Sequence, residues 1–293
     1  MQYILGTAQF GLDYGVSNKL GKIRDTEIKK ILFSAKKYGV QYLDTANAYG
    51  DSEGKIGEFS SLTNSFKIIT KTAHVDSFSR SSAKINFVKS QLLKSLDKLQ
   101  RSYVDILLVH NSSDINVLGD SSFYNCLMEI KSSGYAKKIG VSVYHRKELD
   151  LILDKYSFDV VQFPINVINQ TFISNGYLHE LKQKNIELHA RSVFLQGLLL
   201  MPMNEVGEYF NPIKPIIRKY FDFIKSVGLD KVSASLNYIK QIDCLDAVVF
   251  GVQRSSELEE VLDALGSSYT QLDYSDFASN DDRMINPSEW KIN

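Results

Sequence analysis

Residues 104–110, Val104-Asp105-Ile106-Leu107-Leu108-Val109-His110, form an apolar run too short for a helix. After a loop comes helical spacing over 122–132, then a second apolar run over 136–143. Strand, helix, strand in that order is a crossover unit with parallel strands. The same unit repeats outward in both directions. Strand patterns lie at 3–6, 40–44, 67–71, 104–110, 136–143, 159–163, 186–191 and 247–250. Helical patterns separate them at 52–59, 82–99, 122–132, 147–153, 175–183, 213–226, 231–241 and 256–264. A further helix is predicted from Asp25 as N-cap, through the apolar face Ile28, Ile31, Leu32 and Ala35, to a stop at Gly39. Alternating β and α elements predict a parallel sheet. Eight of them in 293 residues predict an α/β protein built as a closed (β/α)8 TIM barrel. The 17 Gly and 5 Pro are scattered singly, so no linker divides the chain, and residues 1–293 read as a single domain.

Composition removes several function classes. Lys+Arg and Asp+Glu number 34 each, a net charge of 34 − 34 = 0, which offers nothing to nucleic acid or an anionic membrane. The 44% hydrophobic and 23% charged fractions are those of an ordinary globular chain. Cys126 and Cys244 have no second Cys or His at metal-finger spacing and read as inert thiols. The N-terminus has no basic region and no apolar run reaches the roughly 18 residues of a membrane span, so the expected location is the cytoplasm. Gly6, Gly11 and Gly15 do not make the G-x-G-x-x-G of an open nucleotide-binding sheet. After Gly11, Leu12 and Asp13 stand where a phosphate loop needs Lys and Ser/Thr.

A (β/α)8 barrel forms its site at the C-terminal strand ends, so polar residues closing apolar strands are the candidates. Asp44 ends the second strand, Tyr49 follows in its loop, Lys71 ends the third and His110 the fourth. Singly, each has a structural reading: a solvated flank, a helix cap, a satisfied rim residue. Together they make a proton-transfer set. An ammonium beside a phenol favours the anionic form and brings a tyrosine's donating power toward neutral pH. Asp44 would hold Lys71 charged, and His110 would position a carbonyl oxygen.

The stretch Asp44-Thr45-Ala46-Asn47-Ala48-Tyr49-Gly50-Asp51-Ser52-Glu53 resembles the Asp-Thr-Ala-x-x-Tyr-Gly-x-Ser-Glu box of the aldo-keto reductases. Further similar boxes follow in order. They are Leu5-Gly6-Thr7-Ala8-Gln9-Phe10-Gly11, residues 105–110, Gly140-Val141-Ser142, Val161-Gln162-Phe163-Pro164-Ile165-Asn166, and Val249-Phe250-Gly251. The resemblance spans about residues 3 to 265 and implies metal-free, NAD(P)H-dependent carbonyl reduction on a (β/α)8 barrel. It makes Tyr49 the general acid, tuned by Lys71 and Asp44, with His110 orienting the carbonyl. Ser142 and Gln162 would bind the nicotinamide carboxamide, and Gly6 and Thr7 would lie near its ribose. The segment 192–197, with Ser192, Phe194, Gln196 and Gly197, would cover the pyrophosphate. Gly251, Gln253, Arg254 and Glu260 complete the expected cofactor set.

Departures from the family pattern are informative. Arg191 stands where many members stack an aromatic ring on the nicotinamide, and it can lie against a ring, an anionic substrate or the pyrophosphate. Glu257 replaces a basic residue and Val261 an adenine-binding Asn, while Arg254 can pair with a 2′-phosphate. The resemblance therefore implies NADPH, with NADH as the alternative. The branch it resembles most is found with polysaccharide and nucleotide-sugar pathways, which implies a small sugar-like carbonyl substrate. Arg80, Lys84, His74 and Arg146 lie in or near strand-end loops where a substrate phosphate would meet them. Residues 271–293, with Trp290, would border the substrate pocket or dock on the barrel. Two other readings are a cofactor-binding regulatory subunit with little turnover, which needs no complete quartet, and a barrel sugar isomerase, which needs a Gly-rich phosphate site. Oligomeric state leaves no mark on the sequence.

Overall fold

The apolar runs become eight parallel strands: β1 (Gln2–Gly6), β2 (Tyr42–Asp44), β3 (Lys67–Lys71), β4 (Val104–Val109), β5 (Ala136–Ser142), β6 (Val160–Pro164), β7 (Glu187–Arg191) and β8 (Ala247–Gly251). Each pairs with the next, and β1 pairs with β8, so the sheet closes on itself. This is a computed structural model, and it describes residues 1–75, 81–115, 120–173 and 176–291, without the side chains of 81 and 82. The strands are continuously apolar because both faces are buried. Ile106 and Leu108 point into a small interior cluster with Ile4, Ile69 and Val249, while Leu107 and Val109 point outward into the layer between sheet and helices. Among the described residues no helix is long and apolar enough to cross a membrane.

The helices Ser122–Ser132, Ser81–Leu99 and Ser255–Gly266 lie within about a residue or two of their sequence patterns. The expected start at 175 lies outside the described residues, and the helix there is Tyr177–Gln183. Asp25 is not an N-cap. The helix Asp25–Lys37 begins on it, and extended Arg24 (φ −74°, ψ 149°) takes the capping position without a side-chain bond. The Asp25 carboxylate stays at the positive helix end and accepts from Lys55 Nζ at 2.9 Å, joining this helix to Ser52–Glu58.

The C-terminal segment docks at the rim. Ser279 N donates to Ile168 O at 2.8 Å, and Phe277 packs against Tyr220. Trp290 donates from Nε1 to Met284 O at 3.2 Å, with its ring 4.8 Å from Phe210. Cys126 is buried. Cys244 is only partly so, and its thiol lies with the side chains of exposed His179 and Asp243, within 4.8 Å of one another, the His179 side chain being brought there from far along the chain.

One close approach links the scaffold to the loop after β2. A Cβ on Gly11 would sit 1.9 Å from Tyr49 O and 2.5 Å from Ser52 N, both backbone atoms that cannot swing away. Gly11→Ala is therefore expected to cost about 1–3 kcal/mol in urea unfolding. Gly207→Ala, at a site where a Cβ meets nothing within 4 Å, should change little. Equal stability of the two variants would show that the loop yields freely.

Candidate active site

In-register pairing aligns the strand ends at one mouth. Gly6 pairs with Asp44 and Gly251, Ser142 with Gln162, and Pro164 with Arg191. There a cavity of about 880 Å³ opens, of the size that holds a small ligand or cofactor. Asp44, Tyr49, Lys71 and His110 line it, as do Gly6, Ser142, Gln162, Arg191, Ser192, Phe194, Gln196, Gly197, Gly251, Gln253, Arg254 and Glu260. Thr7 does not. No described residue of 271–291 lines it either. Of the loop cations, Arg80 lies outside the described residues and the other three stay out of the cavity. Lys84 is buried, His74 Nδ1 is 2.8 Å from Asp114 Oδ1, and Arg146 lies over Tyr177 at 3.9 Å.

At the inner end, Asp44 and Lys71 are each only 3% exposed. Lys71 Nζ donates to Asp44 Oδ1 at 2.5 Å and to Thr45 O at 3.0 Å, and Gln162 Nε2 donates to Asp44 Oδ2 at 2.8 Å. The same ammonium lies 4.9 Å from the Tyr49 ring centroid, and Tyr49 meets His110 edge-to-face at 5.9 Å. The expected lowering of the phenol does not occur. Burial pushes Tyr49 well above the ordinary tyrosine range and the Asp44 carboxylate pushes the same way, with Arg191 pulling partly back. Lys71 is charge-matched by Asp44, so its field on the ring is largely cancelled. His110 is held down to about 4, by burial first and then by Lys71 and Arg191. At neutral pH the cavity thus presents a protonated phenol and a neutral imidazole, two groups able to donate to one oxygen.

The loop carrying Tyr49 is held by a knot of hydroxyls. Ser52 Oγ lies 2.8 Å from both Thr7 O and Thr7 Oγ1, and Thr45 Oγ1 donates to Ser52 Oγ at 3.0 Å. Thr7 Oγ1 also donates to Asp44 O at 2.9 Å. Thr7 is fully buried, and its hydroxyl serves the scaffold. Behind the knot, burial raises the Glu53 carboxyl although Thr70 Oγ1 donates to it at 2.7 Å.

Farther out, Arg191 lies over the Tyr144 ring at 4.2 Å, and its charge acts on Tyr14, Tyr49 and His110. Tyr14 and Tyr144 both line the cavity and escaped sequence reading. Tyr144 lies two residues past Ser142 at a strand end, a usable signal; Tyr14, in the loop after β1, carries none. Segment 192–197 has left-handed backbone at Ser192 (φ 59°), Leu195 (φ 47°) and Gln196 (φ 54°), conformations held only where the surroundings impose them. It meets the loop after β1, where Lys19 Nζ pairs with Glu205 Oε2 at 2.7 Å. At the outer end, Glu257 turns its carboxylate to Gln253 N at 2.8 Å beside exposed Arg254.

The Aldo/keto reductase family profile matches residues 3–282. The L-glyceraldehyde 3-phosphate reductase of Escherichia coli K12 is 23% identical over 87% of this chain and 84% of its own. An aldo-keto reductase of Mycolicibacterium vanbaalenii is 30% identical over 46% of this chain, a match spanning about half of that relative (47%). The holo form of an aldo-keto reductase from Bacillus halodurans superposes with a TM-score of 0.75 at 16% identity, over 92% of this chain and 88% of that one, a likeness of fold.

The His110 environment makes stability pH-dependent. Unfolded, the imidazole titrates near 6.5; folded, near 4. Between those values the unfolded chain binds more protons, so this contribution is present above about 6.5 and lost as pH falls toward 4. His110→Gln should flatten that share of the fall in urea-unfolding free energy. Parallel curves for the two proteins would show that His110 is not held neutral.

Proposed function

The chain belongs to the aldo/keto reductase family, and on that footing we propose that it reduces a small, sugar-like aldehyde or ketone to the alcohol with NADPH, NADH being the alternative donor. The observation carrying this reading is the convergence of Asp44, Tyr49, Lys71 and His110 at the inner end of one cavity. The likeness to the L-glyceraldehyde 3-phosphate reductase of Escherichia coli supports the substrate class.

The donor set along the cavity fits a dinucleotide. Gly6, Gly197 and Gly251 expose bare backbone along it, and at its far end no carboxylate pairs with the Arg254 guanidinium among the described residues. Ser142 and Gln162 would hold the carboxamide, segment 192–197 the pyrophosphate, and Arg254 a 2′-phosphate. When bound, the cofactor supplies hydride to the carbonyl carbon. The remaining work falls to side chains. Tyr49 and His110 donate to the carbonyl oxygen and stabilise the negative charge gathering there. Tyr49 then gives its proton to that oxygen, completing the alcohol, and recovers one from water. A phenol raised by burial is a reluctant acid toward water, but an alkoxide, nearly as basic as hydroxide, still takes its proton.

Tyr49→Phe is expected to keep NADPH binding, followed by nicotinamide fluorescence, while turnover falls about 10²–10⁴-fold. Undiminished turnover of a verified aldehyde would remove Tyr49 from the role of acid. Arg254→Ala should weaken NADPH far more than NADH in the same titration, and equal losses would locate the 2′-phosphate elsewhere.

A further inference from the structure

Charges at the inner end of the cavity do not cancel. Lys71 is matched by Asp44 at 2.5 Å. The second cation, Arg191, has no carboxylate partner among the described residues. Its Nη2 donates to Val143 O at 3.0 Å and its Nη1 to Ser192 Oγ at 3.2 Å, which leaves part of a five-donor fork unused. Of the other carboxylates along the cavity, Glu205 is engaged by Lys19, Glu257 by Gln253 N and Asp230 by Ser233 N, while Glu260 lies on the helix Ser255–Gly266 that follows Arg254. Tyr144, 4.2 Å beneath the guanidinium, offsets some of its lost hydration by cation–π attraction and fixes its plane. A half-buried cation without a counter-ion is costly, and an anion delivered by a ligand removes that cost.

The position of the charge decides which ligand. Arg191 closes β7, and its field reaches Tyr49 and His110, the two groups that would hold the reacting oxygen, whereas Arg254 serves the far end. Resting on the reductase reading, we propose that Arg191, braced by Tyr144, recognises an anionic group that the substrate carries close to its carbonyl. The substrate is then an acidic or phosphorylated short aldehyde or ketone, and a planar fork suits carboxylate and phosphate alike.

Paired substrates test this. Rates per KM would be compared for succinic semialdehyde against butanal, and for glycolaldehyde phosphate against glycolaldehyde, in wild type, Arg191→Met and Arg191→Lys. The wild type should prefer the anionic member, and the pair showing the larger preference distinguishes carboxylate from phosphate. Arg191→Met should cut the preference about 10- to 100-fold, the size of bonds to a charged group, and Arg191→Lys should restore part of it. NADPH affinity should move far less than the preference. Succinate, which has no carbonyl to reduce, should bind NADP-loaded wild type in calorimetry and lose that binding in Arg191→Met. Reduction of the neutral aldehydes without preference for the anionic ones overturns the role of Arg191 and leaves the reductase reading standing. A loss of NADPH affinity as large as the loss of preference assigns the guanidinium to the cofactor instead. NADPH binding with no carbonyl consumed overturns both.

Discussion

The buried ion pair between Lys71 and Asp44 sets the geometry of everything around it. A carboxylate 3% exposed at a barrel mouth is tolerable only when its oxygens are filled, since removing either partner leaves a buried charge without compensation. Here Lys71 of β3 takes Oδ1 and Gln162 of β6 takes Oδ2, while Thr7, just past β1, donates to the Asp44 carbonyl. One residue therefore ties the mouths of four strands. Thr7 in turn holds Ser52, and Ser52 closes the loop that presents Tyr49. The loop that carries the phenol is held by short contacts rooted just past β1 and β2, which is the stiffness that proton transfer over hydrogen-bond distance requires.

The same pair governs the electrostatics. Burial, with the Asp44 carboxylate beside it, holds the Tyr49 phenol in its protonated form. His110 stays neutral for the converse reason, burial with two cations nearby. What is left over is the charge of Arg191, and it lies toward the reacting groups. The cavity thus runs from a neutral donor pair with a surplus cation at one end to Arg254, flanked by Glu257 and Glu260, at the other.

Much of this was legible in the sequence. The eight apolar runs stand out because a barrel strand is buried on both faces, and their polar ends stand out because only the mouth tolerates Asp44, Lys71 and His110 there. Other readings failed on local physics. Asp25 looks like a cap by residue type, but capping depends on the backbone angle of Arg24 before it. The residue type of Thr7 does not show that its hydroxyl also bonds to Asp44 and Ser52. Gln162 was read as a carboxamide contact, and the structure adds that its amide braces Asp44 across 118 residues of chain.

The sequence by itself determined the period and order of the elements, hence the closed parallel barrel, and the residue types gathered at the strand ends. Both follow from interactions between near neighbours in the chain, the alternation of apolar runs and the spacing of helix faces. Only the tertiary structure decided which cation stays unmatched, which hydroxyls are spent on the scaffold and how far each proton is held. Those are set by burial and by charges from distant strands, and a one-dimensional pattern does not encode which distant groups finally touch.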